Sequence, residues 1–339
     1  MTTTYRAIEA LDGAFTLVER ELAEPPRGQV RIAVEACGIC HSDVVGVHNL
    51  LGSHPAGTAI VPGHEVVGRI DALGEDVTGW TVGQRVGVGY LSGHCGVCAN
   101  CRRGDFVYCT DQPILGDTVD GGYAEYVTSR VSGLVAVPEE FSAAEAAPLL
   151  CAGITVFNAL RRGAPLHGDL VAVQGVGGLG HLAIQYAAKL GLRVVAIARG
   201  EDKRELALKL GADEYIDSAA VDPAKALQEL GGAKVIVATA ASGASMSPLV
   251  EGLAVRGRLV VVGVGNDPIE VGTTSLVFGG RTIEGSLTGT ASENEENLAF
   301  TLRNDVRPLV ETLPLEQAAE GYARMMSGAA RFRMVITNN

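Results

Sequence analysis

The stretch LVAVQGVGGLG, residues 170–180, joins a short apolar run to a glycine-rich turn. The apolar run, residues 170–174, has the length and composition of a buried β-strand. The turn fits G-x-G-x-x-G, and residues 181–190 after it have the pattern of a helix that ends before Gly191. A lone G-x-G-x-x-G is weak, but a strand before it and a helix after it are the context that supports it. The stretch predicts a βα turn that lets a dinucleotide pyrophosphate approach a helix N-terminus, and the alternative is a purely structural turn.

Predicted strands alternate with predicted helices around and after this turn. The strands are predicted at residues 170–174, 193–197, 214–216, 234–238, 258–262 and 281–287, and the helices at residues 181–190 and 203–210. Such alternation is typical of an α/β domain with a doubly wound parallel sheet, the Rossmann arrangement. Before it, Ser142 and Glu145 form a capping-box pattern that predicts the start of an Ala-rich helix.

The first part of the chain has a different texture. Short β patterns at residues 29–35, 65–72 and 84–88 are broken by Gly and Pro, which favours a barrel-like all-β domain. A length of 339 residues also makes two domains the prior expectation. We therefore expect a β domain at 1–150 and a cofactor domain at 151–287. A tail at 288–339, with a helix at 315–326 and a strand at 332–337, should return to the first domain.

Charge and hydropathy narrow the classes of partner. The net charge is −12 and the pI about 5.1, which argues against nucleic acid because phosphate binding needs clustered Lys and Arg. No run of 18 apolar residues is present, so no membrane span is predicted. The first residues, MTTTYR, lack the apolar region of a signal peptide. Seven cysteines without such a signal favour the reducing cytoplasm.

Four cysteines lie close together in the first part of the chain. Cys95, Cys98, Cys101 and Cys109 have the spacing C-x2-C-x2-C-x7-C, in a lobe at about residues 93–110. Four thiolates satisfy the tetrahedral preference of Zn²⁺ without other ligands. The alternatives are two disulfides or four unrelated thiols, but C-x2-C pairs in a non-secreted chain favour a metal. The spacing predicts a structural zinc.

The end of the second predicted Rossmann strand bears on the choice of cofactor. An NAD enzyme usually has an Asp or Glu there that binds the ribose 2′-hydroxyl, but this chain has Ala198, Arg199 and Gly200. Arg199 can pair with a 2′-phosphate, and Lys203 and Arg204 add positive charge nearby. We predict a preference for NADP(H), with NAD(H) as the alternative if Arg199 is only a solvated surface residue.

A second set of possible metal ligands is dispersed along the chain. Cys40, His64 and Cys151 together form the Cys, His, Cys set of a catalytic zinc with one open position. Each has a plain structural alternative, because a cysteine is often a small buried apolar residue and a single histidine is more often structural than a ligand.

These motifs, in this order, resemble the zinc-dependent medium-chain alcohol dehydrogenases over essentially the whole chain. The runs CHSD at 40–43, GGLGH at 177–181 and ARGEDK at 198–203 look closest to bacterial members of the cinnamyl-alcohol-dehydrogenase-like branch. The resemblance implies a GroES-like β-barrel catalytic domain, a Rossmann domain, two zinc ions per chain and a homodimer or homotetramer. It also implies hydride transfer between the carbon of a small alcohol or aldehyde and a nicotinamide. The alternatives are an NAD-dependent primary alcohol dehydrogenase, a polyol dehydrogenase and a non-catalytic NADP-binding protein. A polyol dehydrogenase commonly has Glu where Cys151 stands.

The resemblance also implies roles for individual residues. Cys40, His64 and Cys151 match the ligands of the catalytic zinc. Glu65 matches an acidic neighbour that approaches the metal during ligand exchange. Asp43 matches the carboxylate that orients the histidine, and Ser42 the hydroxyl that accepts the substrate proton. His41 and Arg333 match pyrophosphate contacts. The other cofactor contacts are Gly175, Gly177, Gly178, Leu179, Gly180, Ala198, Arg199, Gly200, Lys203, Val262 and Val264.

The chain departs from the family at one position of the proton relay. Many members have a histidine five residues after the first zinc ligand, where this chain has Val45. His48 is near in sequence, and the relay is either shorter or uses a different group. The segment 44–55 and Tyr90 are expected to shape the substrate pocket.

Overall fold

The computed structural model describes residues 3–338 and divides the chain into two compact units. Unit 1 contains the chain up to Cys151, together with Gly289–Arg303 and the part from Arg307 onward. Unit 2 contains Ala152–Thr288 and Asn304–Val306.

The strands of the described residues are numbered in chain order. They are β1 Thr4–Leu11, β2 Ala14–Glu21, β3 Gln29–Ile39, β4 Val66–Leu73, β5 Arg85–Val88, β6 Tyr126–Arg130, β7 Leu134–Ala136, β8 Leu170–Gln174, β9 Arg193–Ala198, β10 Glu214–Asp217, β11 Ala233–Ala238, β12 Leu253–Val261, β13 Thr282–Gly285, β14 Val310–Pro314 and β15 Arg333–Thr337.

The α-helices of the same residues are numbered likewise. They are α1 Asp43–Val47, α2 Ala143–Pro148, α3 Ile154–Gly163, α4 Gly180–Lys189, α5 Arg204–Lys209, α6 Pro223–Glu229, α7 Gly243–Met246, α8 Thr273–Gly279, α9 Ala291–Arg303 and α10 Ala318–Met326. A π-helical turn, Leu149–Gly153, lies between α2 and α3.

Unit 1 is built on a mostly antiparallel sheet. Its strand order is β14-β15-β3-β4-β5-β7, β6 also pairs with β3, and β1 and β2 form a separate hairpin. Along most of β3, buried residues alternate with partly exposed ones, because one face of the strand packs on the core. The last strand of the chain, β15, pairs antiparallel with β3, which brings the C-terminal segment onto this sheet.

Unit 2 is a six-stranded parallel sheet in the order β10-β9-β8-β11-β12-β13. All five residues of β8 are buried, as expected for a central parallel strand covered on both faces. The order reverses between β8 and β11, and the carboxyl ends of strands at such a point form the ligand crevice of doubly wound sheets. The predicted fold class, a β domain plus a Rossmann domain, is confirmed.

Several local predictions can be compared with the structure. The capping box is present, with the Glu145 N–H donating to Ser142 Oγ at 3.2 Å. The predicted helix at 315–326 is a 3₁₀ turn followed by α10. The β1–β2 hairpin, β14, α6, α8 and α9 were not predicted from the sequence. In β2 and α8 the reason is visible, because no residue of either element is buried and neither has a clear apolar face.

One stretch has the length and composition of a membrane span. Residues Ala143–Gly163 pass that test, and 83% of the window is buried inside the protein. Such burial is typical of the core helix of a folded domain, so composition alone is weak support for a span.

Candidate active site and metal centres

The four cysteines of the predicted structural lobe converge in unit 1. All four are free thiols, and their Sγ atoms lie within 4.8 Å of one another. Backbone N–H groups point at the sulfurs: the N–H of Cys98 donates to Cys95 Sγ at 3.3 Å, and that of Asp111 to Cys109 Sγ at 3.4 Å. Backbone donors, first that of Cys101, lower the pKa of Cys98 to about 5. Four clustered sulfurs with N–H donors pointing at them suit a closed tetrahedral zinc site.

The dispersed ligand set also converges. Ligand atoms of Cys40, His64, Glu65 and Cys151 lie within 4.8 Å of one another, and all four residues are buried. A hydrogen bond with the Cys151 thiol lowers the pKa of Cys40 well below its ordinary value, although burial opposes this. Buried acidic groups of this kind need a compensating positive charge. A divalent cation bound by two thiols and an imidazole fits this requirement.

Asp43 fixes two of these ligands. His64 Nδ1 lies 2.7 Å from Asp43 Oδ1, and the N–H of Cys40 donates to Asp43 Oδ2 at 2.8 Å. With Nδ1 facing the carboxylate, Nε2 of His64 is the ring nitrogen left for a metal. Nε2 is buried and makes no hydrogen bond within residues 3–338. The carboxylate therefore selects the tautomer of His64 that a metal site requires.

Glu65 makes a contact that the sequence analysis did not predict. Its Oε1 accepts a hydrogen bond from the Arg333 guanidinium, and both side chains are almost fully buried. The second oxygen, Oε2, has no hydrogen-bond partner in the described part of the chain. Burial raises the pKa of Glu65 to about 7, although the charge of Arg333 lowers it. Glu65 thus presents one bound and one unbound oxygen at the ligand cluster.

Cys151 lies in the π-helical turn that follows α2. Wide turns of this kind free backbone carbonyls and are frequent at functional sites. Two buried amides of α9 donate to the carbonyls before Cys151, Asn294 Nδ2 to Leu150 at 3.0 Å and Asn297 Nδ2 to Leu149 at 3.1 Å. Neither asparagine was predicted from the sequence as part of the site. The signal available in the sequence was weak, because an asparagine among the buried positions of a helix is uncommon but does not by itself indicate a functional site.

Ser42 and His41 lie at the start of α1 and are exposed. Ser42 is the N-cap residue of this helix, but its side chain makes no capping hydrogen bond, so the hydroxyl is not occupied there. His48 closes the same short helix, and its ring lies against Gly13, where a Cβ would come within 2.6 Å of His48 Cε1. Val45 is partly buried.

Tyr90 borders the ligand cluster. Its ring meets the His64 ring edge-on, with centroids 5.1 Å apart. Burial, together with the charge of the nearby Asp117, raises the pKa of Tyr90 to about 12. A neutral aromatic ring beside the ligands is consistent with the predicted pocket wall.

The glycine-rich turn in unit 2 connects β8 to α4. Gly175 has φ +93°, a conformation that favours glycine, and a Cβ on Gly180 would lie 1.7 Å from the Gly175 carbonyl oxygen. By contrast, a Cβ on Gly177 would meet no atom of residues 3–338 within 4 Å. The first and third glycines are therefore needed by the backbone, and the second leaves open space, as close approach of a pyrophosphate requires.

The loop after β9 is held from β10. The N–H of Gly200 donates to Asp217 Oδ1 at 2.7 Å, and Tyr215 Oη donates to the Gly200 carbonyl at 2.6 Å. Arg199 is exposed, whereas Arg204 is paired with Glu201. Of the two basic residues predicted to assist Arg199, Lys203 is the N-cap of α5, and Arg204 is already hydrogen-bonded to Glu201.

The last two predicted cofactor contacts lie after β12. Val262 directly follows this strand, and Val264 is 81% exposed.

Comparison with known proteins agrees with both units. Residues 26–139 match the alcohol dehydrogenase GroES-like domain, and residues 178–303 match the zinc-binding dehydrogenase family. The chain is 45% identical to alcohol dehydrogenase patD of Penicillium expansum, over 99% of this chain and 98% of that protein. Among solved structures it is similar to cinnamyl alcohol dehydrogenase SbCAD4 of Sorghum bicolor, with a TM-score of 0.89, 31% identity and coverage of 99% and 98%. It is also similar to CAD from Helicobacter pylori complexed with NADP(H), with a TM-score of 0.86, 26% identity and coverage of 99% of each chain.

These matches extend over nearly the whole chain, and the predicted family is confirmed. The protein is an oxidoreductase that acts on the CH–OH group of small alcohols, or in reverse on the carbonyl group of the product, with zinc and a nicotinamide cofactor. The chain belongs to the zinc-dependent medium-chain alcohol dehydrogenase family.

Proposed function

We propose that this alcohol dehydrogenase interconverts an alcohol and an aldehyde at a zinc ion held by Cys40, His64 and Cys151, and that it prefers NADP(H). The observation that carries the proposal is the buried cluster of two thiols, an imidazole and a carboxylate within 4.8 Å. The test is a panel of aliphatic, allylic and aromatic alcohols and aldehydes, assayed with both cofactors on protein of known zinc content.

The chain's own residues have distinct parts in this reaction. Zinc, when bound, polarises the substrate oxygen as a Lewis acid, and the nicotinamide supplies or accepts the hydride. Asp43 holds the His64 ring in the metal-binding tautomer. Ser42, two residues after Cys40 and without a capping hydrogen bond, accepts the substrate proton during oxidation and passes its own hydroxyl proton on toward solvent. Arg333 keeps one oxygen of Glu65 engaged, while the other remains available to the ligand cluster.

The cofactor preference rests on the loop after β9. Ala198 leaves no carboxylate at the end of this strand to bind a ribose 2′-hydroxyl, and the exposed Arg199 is available to a 2′-phosphate. The Helicobacter pylori relative was solved with NADP(H). One observation favours NAD(H) as the second candidate: Asp217, aligned with Ala198 across the β9–β10 pair, brings a carboxylate to the same loop.

We expect kcat/KM with NADP(H) to exceed that with NAD(H) by about tenfold or more. A charge-assisted contact to phosphate contributes roughly 1.5–3 kcal/mol, and about 1.4 kcal/mol is a factor of ten. Arg199→Ala should remove most of this preference and weaken binding of 2′,5′-ADP while leaving 5′-AMP binding unchanged. Arg193→Ala, at the opposite end of β9, is the matched control. Equal kcat/KM values for the two cofactors in the parent enzyme would rule out the NADP proposal.

We also propose that the protein forms a homodimer, or a tetramer built from that dimer, through the β13 edge of unit 2. Within the described residues β13 pairs only with β12, so its outer edge offers unpaired backbone groups. The neighbouring α8 has no buried residue, and its Val277 and Phe278 are 74% and 85% exposed. Exposed apolar groups beside an open sheet edge are typical of a subunit interface.

Phe278→Asp should shift the protein toward monomer, because a carboxylate would be buried at the interface. Sedimentation velocity over a range of concentrations measures the change. Leu166→Asp, at a similarly exposed apolar residue of unit 2, serves as the control and should keep the parental mass. A parental oligomer that persists in Phe278→Asp would exclude this edge as the interface.

A further inference from the structure

Tyr123 lies in a segment that runs beside the residues leading to His64. Three backbone hydrogen bonds join the two segments: Gly121 N–H to the Val61 carbonyl at 2.7 Å, Gly122 N–H to that of Gly63 at 2.9 Å, and Tyr123 N–H to that of Pro62 at 2.9 Å. Tyr123 is completely buried. The segment 121–123 is therefore a fixed support for the approach to His64.

The Tyr123 ring packs directly on the residue before His64. Gly63 has φ +101°, and a Cβ on it would lie 2.4 Å from Tyr123 Cδ1. Only glycine allows both this backbone conformation and this contact. The ring consequently limits movement of the peptide that carries the histidine.

The Tyr123 hydroxyl reaches the carboxylate shared by two metal ligands. It donates to Asp43 Oδ2 at 2.8 Å, the same oxygen that accepts the N–H of Cys40 at 2.8 Å. The other oxygen of Asp43 faces His64 Nδ1 at 2.7 Å. Without the hydroxyl, Oδ2 would keep only the Cys40 N–H among the donors of residues 3–338. Since Asp43 and Tyr123 are both buried, the carboxylate would then be less firmly oriented.

We infer that Tyr123 is a positioning residue of the catalytic metal site, acting through the Asp43 carboxylate on His64 and on the backbone of Cys40. This inference rests on the proposed assignment of the catalytic zinc to Cys40, His64 and Cys151. It extends the hydrogen-bonded support of the site by one residue beyond the carboxylate. Groups that orient ligands from outside the coordination shell typically change metal affinity by about 10–100-fold, and a residue one step further out belongs at the lower end of that range.

Tyr123→Phe, which removes only the hydroxyl, should weaken metal binding at this site about tenfold. The measurements are zinc release to a chromogenic chelator and the visible spectrum of the Co²⁺-substituted protein. Release from the four-cysteine site should stay at the parental rate, which makes that site an internal control. Tyr322→Phe is the matched variant, because the buried Tyr322 hydroxyl makes no hydrogen bond in the described part of the chain. It should leave the metal affinity and the Co²⁺ spectrum unchanged.

A double-mutant cycle with Asp43→Asn separates this route from a general loss of packing. Asp43→Asn alone should weaken the site about 10–100-fold, and adding Tyr123→Phe to it should cost little more, because the two residues act through one path. The inference is overturned if Tyr123→Phe binds zinc with the affinity of the parent. If Tyr123→Phe does not fold, the same result in Asp43→Asn overturns it. So does equal loss from both metal sites. If Cys40→Ser retained as much metal as the parent, the assignment of the catalytic site itself would be overturned.

Discussion

Replacement of Cys40 by Ser is expected to remove one of two zinc ions per chain and to lower kcat/KM by roughly 10³-fold or more. Lewis-acid stabilisation by a bound metal contributes several kcal/mol to the transition state, and each 1.36 kcal/mol is a factor of ten. The buried Cys40 thiol shares its cluster with His64 and Cys151, and a serine hydroxyl is a much poorer ligand for zinc than a thiolate. Elemental analysis and steady-state kinetics on the same preparation measure both effects.

Cys98→Ser is the matched control for this experiment, because it also removes one thiol ligand. It should likewise remove one zinc, but from the closed lobe, and the main result should be a lower melting temperature with turnover per folded molecule largely retained. A parent enzyme that contains one metal ion or none would contradict the assignment of two zinc sites. Comparable loss of turnover per folded molecule in both variants would contradict the division into a catalytic and a structural site.

Ser42→Ala should lower kcat by about 10²–10⁴-fold while the zinc content remains that of the parent. The hydroxyl lies at the exposed start of α1, makes no capping hydrogen bond and follows Cys40 by two residues. Because the cap is not used, its removal should not destabilise the helix, and the loss should appear in kcat rather than in the melting temperature.

Ser42→Thr provides the control, since it keeps a hydroxyl at the same position and should retain much of the activity. Normal turnover in Ser42→Ala would show that the substrate proton leaves by another route. Val45 carries no ionisable group, and the His48 ring lies against Gly13. Variants at these two positions can then be examined by the same kinetics as alternative parts of the proton route.

The sequence predicted those parts of the molecule whose chemistry is local. The four cysteines are close in the chain, so their spacing alone indicated a metal site, and the structure brings their sulfurs within 4.8 Å. The glycine-rich turn was equally readable, because the φ of Gly175 and the close contact of Gly180 are set by neighbouring backbone. Short elements with no clear apolar face, such as α8, were missed because periodicity carries no signal there.

The catalytic cluster required more than pattern. Cys40, His64 and Cys151 are far apart in the chain, and only the resemblance to a known family connected them before the fold was available. The sequence shows that these three residues can bind a metal. Their proximity depends on how the strands pair and on the π-helical turn at Cys151, which the sequence pattern does not show.

By itself, the sequence determined the two fold classes, the cluster of four cysteines and the glycine-rich turn, because each follows from residues close together in the chain. Only the tertiary structure decided which groups orient the ligands. The contacts of Asp43 with His64, of Tyr123 with Asp43 and of Arg333 with Glu65 join residues 21, 80 and 268 positions apart. The physical reason is that a buried polar group must find its partner wherever folding brings one within hydrogen-bond distance, and no local pattern records that distance.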